Sequence, residues 1–230
     1  MKLSNRLQKI DTMVTSQYDH IWDCCCDHGL LGFSLLSRLT TSKLHFVDIV
    51  PELMDKVTSK LERFFPNSSW QTHCLDVAKL PLAQYQGKQL IIIAGVGGDL
   101  MMQFIEAIYQ QHNNLNIDFL LCPVHHQFSL RQKLIALNFS LKDEVLIEEN
   151  RRFYEILLVS STSDEDNKIA PVGDKIWHST SNKQAEIVTQ YLQKTLSHYQ
   201  RILQGHEQRL QLDNAKQVQA IINAYITKLT

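Results

Sequence analysis

Two apolar stretches that each end on an acid, with a helical run between them, constrain this chain more than any other feature. The first, through Trp22 and Asp23, enters the tight acidic segment Cys24-Cys25-Cys26-Asp27-His28-Gly29. Leu30 to Leu39 reads as helix, and a second apolar run closes on Phe46-Val47-Asp48. This is the opening strand–helix–strand unit of an α/β domain. Its first loop faces a ligand, and an acid at the end of the second strand is placed to take two ribose hydroxyls. In all, strands are expected at 20–24, 43–48, 69–74, 89–94 and 117–122, alternating with helices at 30–39, 51–64, 99–111 and 128–137. An amphipathic helix over 2–14 precedes them, with Leu3, Leu7, Ile10 and Val14 at spacings of three and four. Such alternation requires a parallel sheet with helices on both faces.

The alternation then breaks. Residues 139–147 and 153–160 are extended runs joined by Glu148-Glu149-Asn150-Arg151-Arg152, with no helix between them. So short a link demands an antiparallel hairpin at the sheet's edge. Five parallel strands followed by that hairpin resemble the S-adenosylmethionine-dependent methyltransferase fold; a dinucleotide dehydrogenase would continue with more strand–helix units. A polar stretch from Ser161 to Lys168 follows, and Val188, Leu192, Leu196, Tyr199, Leu203, Val218, Ile222 and Tyr225 then recur at helical spacing. Gly205 and Asp213-Asn214 are candidate breaks between two helices folded back on one another. The expected organisation is an α/β, Rossmann-like methyltransferase domain over 1–162, a linker over 163–174, and a C-terminal helical hairpin or coiled coil over 175–230.

Composition narrows the partners. With 44% hydrophobic residues and a net charge of −1, the chain can bury a large core and carries no general basic field. Charge is nonetheless uneven. Residues 175–230 hold seven Lys or Arg against three acids, and Lys2, Arg6 and Lys9 open the chain with no acid among them. A polyanion could use these segments, although solvated helix faces would explain the same counts. The polar start does not read as a signal peptide, and no apolar run reaches the ~18 residues of a membrane span. The five cysteines are odd in number and lack CxxC spacing, and three adjacent ones alternate between strand faces. They suit buried thiols in a reducing cytoplasm better than a metal site.

The chemistry-bearing residues cluster at strand ends. Asp23 could meet an ammonium group or cap the loop. Asp48 is placed for ribose hydroxyls, and Asp76 for an adenine amine or merely for solvent. Cys25, Gly29, Ile49 and Val77 lie near these acids, and with Ala94 and Gly95 at the end of the fourth strand they complete the expected cofactor site. Three glycines in Gly95-Val96-Gly97-Gly98 let the backbone approach a ligand closely. Asp27 and His28 lie inside the ligand-facing loop and are the leading catalytic candidates, though Asp27 could equally cap the next helix. His125-His126 read as loop residues rather than metal ligands.

Taken together, Leu3-Ser4-x-Arg6-Leu7, Asp23-x-x-x-Asp27-His28, Ile93-Ala94-Gly95-Val96-Gly97-Gly98, Pro123 with His126 and Arg131, Tyr154-Glu155-Ile156-Leu157 and the paired C-terminal helices resemble the bacterial tRNA (adenine(22)-N1)-methyltransferase family. The resemblance runs through nearly the whole chain. It implies transfer of a methyl group from S-adenosylmethionine to adenine N1 in tRNA, with Asp27, His28 and Gly97 at the reacting centre. It also implies RNA contacts from basic residues, for which Lys2, Arg6, Arg131, Arg151, Arg152 and Arg201 are the candidates. Two departures stand out: Cys25 replaces the family's usual glycine, and Cys122-Pro123-Val124 replaces Gln-Pro-Asn. They leave two alternatives open, a catalytically silent RNA- or protein-binding module and, on the glycine-rich turn alone, a nicotinamide-dependent oxidoreductase. Oligomeric state is not legible in the sequence.

Overall fold

The structure, a computed structural model, describes residues 3–179 and 181–228; Lys2 lies outside the described residues. A seven-stranded sheet forms its centre. In chain order the strands are β1 (His20–Cys24), β2 (Lys43–Asp48), β3 (Trp70–Cys74), β4 (Gln89–Ala94), β5 (Ile117–Cys122), β6 (Ser140–Glu149) and β7 (Arg152–Ser160). Their order across the sheet is β3-β2-β1-β4-β5-β7-β6. β1 to β5 pair in parallel, while β7 pairs antiparallel with β5 and with β6. The expected five parallel strands and antiparallel edge hairpin are therefore present, and the fold is that of a Rossmann-like methyltransferase.

Both sheet faces are covered, so the central strands are apolar throughout rather than alternating. On β4, Leu90 and Ile92 join the core under α1 (Asn5–Met13), α2 (Leu30–Arg38) and α3 (Pro51–Phe64). Their neighbours Ile91 and Ile93 join the opposite core under α4 (Gly98–Gln111) and α5 (Gln127–Ala136). α1 starts later than its apolar spacing predicts, because Ser4 caps it by accepting from the Leu7 N–H. α3 carries Pro51 in its first turn, where a missing N–H costs nothing. The turn joining β6 to β7 is two residues long, Asn150 and Arg151, both with positive φ (52° and 62°). Paired positive φ values match the right-handed twist of the strands they join.

The C-terminal helices α6 (Asn182–Gln208) and α7 (Leu212–Ile226) form the expected hairpin, but its turn lies elsewhere. Gly205 continues α6 and Asp213 sits in the first turn of α7; the chain reverses at 209–211, where Leu210 adopts φ 55°. The stretch read as a polar linker packs against the rest: Ile169 enters the core beneath α5, and Val172 meets Leu192 and Tyr225 of the hairpin.

Arg131 holds these parts together. It is 1% exposed, and its Nε and Nη2 donate to Glu155 (2.7 Å) and Glu144 (2.6 Å). Glu144 accepts in addition from the backbone of Asp174 and Lys175, and Glu155 from the Tyr191 hydroxyl of α6. The expectation that Arg131 contacts RNA is therefore wrong: two buried carboxylates occupy its guanidinium, which no phosphate can reach.

Candidate active site

Reversal of strand order between β1 and β4 opens a crevice above the carboxyl ends of the strands, the usual ligand site of an open α/β sheet. The loop after β1 forms one wall. It bends through three residues with positive φ, Cys25 (54°), Asp27 (50°) and Gly29 (72°). Cys25 thus adopts the left-handed conformation that a glycine would take, at a strain on the order of 1–3 kcal/mol. Its half-buried thiol is pushed up to about 11 by burial and by the neighbouring Asp48, Asp23 and Asp76, so it is neutral at pH 7.

Each acid is fixed by backbone donors. Asp23 is 5% exposed and accepts from the Gly32 N–H (2.9 Å) at the start of α2. Burial raises its pKa to about 7 against that bond, with Asp48 adding to the rise. Asp48 takes the Asp27 N–H on one oxygen (3.0 Å) and the Val50 N–H on the other (3.1 Å). Each oxygen keeps a further lone pair for a hydroxyl donor. Beside it Ile49 is 65% exposed, an apolar face at the mouth of the crevice. Asp76 caps the short turn Val77–Lys79 by accepting from Ala78 N–H (2.9 Å). The Val77 side chain is buried in the core, so only its backbone can serve a ligand.

Asp27 is different. Gly29, with no side chain to offer, is the N-cap of α2, so Asp27 does not cap the helix. Its exposed carboxylate lies 3.7 Å from the His28 Nε2. The opposite wall is the turn after β4. Gly95 is exposed at φ 87°, next to Ala94, whereas Gly97 and Gly98 serve close packing. A Cβ on Gly97 would lie 2.4 Å from the His125 ring, and one on Gly98 2.8 Å from the His125 carbonyl. Val96 O accepts from Val124 N–H and Gly97 O from Met101 N–H. The carbonyls of Val96 and Gly97 are therefore engaged within the protein, and Gly95 is the part of this segment that opens to the crevice.

The β6–β7 hairpin tip also rises on this side. Leu157 pairs with Leu121 near the end of β5, so Arg152 to Tyr154 extend beyond it. Arg152 joins His125, His126, Lys194, His198, Tyr199 and Arg201 around a groove of about 340 Å³ between the loop after β5 and α6. Arg151 lies on the outer side of the tip, where its carbonyl accepts from Lys194. Sequence reading missed His198 and Tyr199, whose helical spacing says nothing of which strand end they will meet. Arg6, expected on an RNA-facing surface, instead folds inward with its guanidinium 5.2 Å from the centre of the Tyr154 ring.

A methyltransferase domain family model matches residues 3–157. The chain belongs to the methyltransferase domain family. Solved structures similar to this methyltransferase extend over its full length. M. capricolum TrmK in complex with S-adenosylhomocysteine has a TM-score of 0.76 at 18% identity, covering 99% of this chain and 97% of that one. The B. subtilis m1A22 tRNA methyltransferase TrmK has 0.74 at 19%, covering 100% and 99%. An uncharacterized Listeria monocytogenes protein has 0.77 at 16%, with both chains covered completely. No match emerges among curated protein sequences. The cofactor of the methyltransferase is S-adenosylmethionine, and the crevice holds donors and acceptors of the kind that molecule needs. No helix among the described residues is long and apolar enough to cross a membrane. No group of three metal-ligating side chains is found among them either.

Proposed function

We propose that this methyltransferase acts on tRNA, methylating N1 of an adenine, with position 22 the expected target. The observation that carries the reading is the basic, tyrosine-lined groove beside the acidic cofactor crevice. Likeness to the two TrmK structures along the whole chain, paired C-terminal helices included, supports it. Asp48 would take the ribose hydroxyls, Ile49 the adenine face, Asp76 with the Val77 backbone the adenine edge, and Asp23 the ammonium. Cys25, Gly29, Ala94 and Gly95 would line the remainder.

S-adenosylmethionine supplies an electrophilic methyl group on its sulfonium. Adenine N1 attacks with its own lone pair, so no base is needed beforehand. The protein must instead extrude and align the base and accommodate the charge it gains. Asp27 is suited to that role: its carboxylate caps no helix, and it can accept from the exocyclic amine as positive charge develops. His28 lies close enough to modulate Asp27. Gly97 contributes by letting His125 pack against the turn, fixing the floor. Arg151, Arg152, Lys194 and Arg201 would bind phosphates, which supply position and affinity rather than base identity. Such an enzyme would work in the cytoplasm on its tRNA partner, over the domain boundaries read from the sequence.

The test is transfer of labelled methyl to unmodified bulk tRNA, followed by nucleoside analysis. The expected product is 1-methyladenosine. A different methylated nucleoside would move the acceptor. S-adenosylhomocysteine binding with no product on any RNA would favour a silent binding module.

A further inference from the structure

Three histidines cross the cofactor half of the sheet, one on each of β1, β2 and β3, and the proposed reaction uses none of them. His20 Nδ1 lies 3.0 Å from His45 Nε2, and His45 Nδ1 lies 2.9 Å from His73 Nε2. One end of this ladder is fixed, because His20 Nε2 meets the Gln86 carbonyl at 3.1 Å and a carbonyl can only accept. His20 therefore carries its proton on Nε2 and accepts on Nδ1, which sets an Nε2–H on His45 and then on His73. A second proton on His20 or His45 would set two N–H groups face to face. His45 has no exposure; it stacks on Trp22 at 3.8 Å and meets the Tyr85 ring edge-on.

Lys43, over the Tyr85 ring, and Asp19 are the charged groups that face the ladder, and Tyr85 is the other ionisable one. Burial first, then His73, His20 and Lys43, push the His45 imidazole down to about 2. Burial and Lys43 lower His73 as well; burial lowers His20 against the Gln86 carbonyl and Asp19, with Lys43 adding to it. The ladder ends on β3, the edge strand, whose backbone pairs with β2 alone. Just beyond β3 the Leu75 N–H donates to the Asp48 carbonyl, and Asp76 follows directly. What holds β3 in place therefore also holds Asp48 and Asp76 in the cofactor wall.

We propose that the ladder is an acid-sensitive latch on the cofactor wall: neutral, it ties β3 to β2 and β1, and acidification opens it and weakens cofactor binding. A proton arriving at half-buried His20 takes its Nδ1 and leaves the His45 N–H buried without an acceptor. A proton arriving at His73 keeps the bond but places a second charge near Lys43. In the unfolded chain each ring takes a proton below its ordinary 6.5, whereas folded His45 does not until about 2. The stability tied to neutral His45 is thus full above 6.5 and lost as the pH falls below it. The loss is about tenfold in the folding constant per pH unit for each ring that stays neutral. The latch concerns the cofactor and is independent of whether tRNA is the methyl acceptor.

The experiment follows the full chain from about pH 8 to about pH 5.5 by calorimetric titration with S-adenosylhomocysteine and by amide hydrogen exchange, with His45→Gln beside the wild type. A glutamine there can turn its carbonyl toward a protonated neighbour and keep the ladder closed. Asp23, at about 7, titrates in this range too, but it is common to both proteins and cancels in their comparison. On acidification the wild type is expected to lose at least tenfold more affinity than His45→Gln. Its β3 amides should exchange at least tenfold faster, corrected for the intrinsic effect of pH, while those of β5 keep their protection. Equal pH dependence of affinity in the two proteins would overturn the latch. So would loss of protection in β3 and β5 together, which would make the ladder a matter of overall stability. Unchanged β3 exchange in the wild type would overturn it whether or not the variant folds, as would a protonated His45 at pH 7 in imidazole nitrogen spectra.

Discussion

The two walls of the candidate active site are built by opposite means. On the cofactor side, Asp23, Asp48 and Asp76 sit at successive strand ends, and backbone N–H groups fix each carboxylate. On the proposed acceptor side, the groove combines the loop after β5, the tip of the β6–β7 hairpin and the middle of α6, segments far apart in sequence. It is exposed, basic and aromatic, where the other is sheltered and acidic. Two consecutive strand–helix–strand units can position the first wall by themselves. The second depends on how the C-terminal hairpin docks, and that depends on Arg131 and its two glutamates.

The largest effect should come from breaking that dependence. Glu155→Ala leaves Arg131 with one carboxylate and strands the Tyr191 hydroxyl of α6. Removing one partner of a buried pair costs about 3–5 kcal/mol. Denaturant titration should show that loss. Limited proteolysis should show α6 and α7 cleaved before the sheet. A loss within 1 kcal/mol, with the helices still protected, would mean that apolar packing through Trp177, Tyr191 and Tyr225 docks the hairpin without the network.

Next comes the boundary between the two walls. Asp27→Ala is expected to lower methyl transfer to tRNA at least a hundredfold, roughly 2.7 kcal/mol of transition-state stabilisation, while S-adenosylhomocysteine affinity stays within about twofold. Its backbone N–H, which Asp48 uses, survives the substitution. Transfer within threefold of wild type would remove Asp27 from the reacting centre. The acceptor wall is then tested by charge. Arg152→Glu with Arg201→Glu should weaken tRNA binding about tenfold at moderate salt. It should also flatten the salt dependence by ~1.4–1.8 in log–log slope, the amount expected for two phosphates. An unchanged slope would place the RNA elsewhere.

The same division explains what the sequence disclosed. Strand-end acids follow from apolar runs of known length, so Asp23, Asp48 and Asp76 were legible, as was the hairpin that ends the sheet. Cys25 looked like a departure, yet its φ of 54° shows a thiol residue holding a glycine's conformation. Arg131 misled because a lone arginine on a helix gives no sign of burial. A signal did exist in its partners: Glu155 interrupts the apolar run Tyr154 to Val159, and a charge at a core-facing strand position requires a counter-charge. Arg6 misled for a related reason, since basic residues near a terminus suggest surface contacts until the fold turns one inward. No periodicity could have brought His198 and Tyr199 beside the loop after β5, because helix docking is set by tertiary contacts.

The smallest expected effect probes the cofactor wall alone. The Asp23 pKa is about 7 against an ordinary value of 3.8, chiefly from burial. Between those two values the folded protein holds a proton that the unfolded chain has lost. Asp23 therefore contributes stability that is fully present below 3.8 and is lost as the pH rises through about 7. An ammonium group placed against this carboxylate would favour its charged form and lower that pKa. Titration with S-adenosylhomocysteine at pH 7, in buffers of differing ionisation enthalpy, should then show release of about half a proton per site. Asp23→Asn should abolish the release. No proton release by the wild type, with binding intact, would leave Asp23 as the cap of α2 and assign the ammonium to another acceptor on the loop after β1. The acidic wall would then divide its labour between scaffold and ligand, with Asp48 as its main contact.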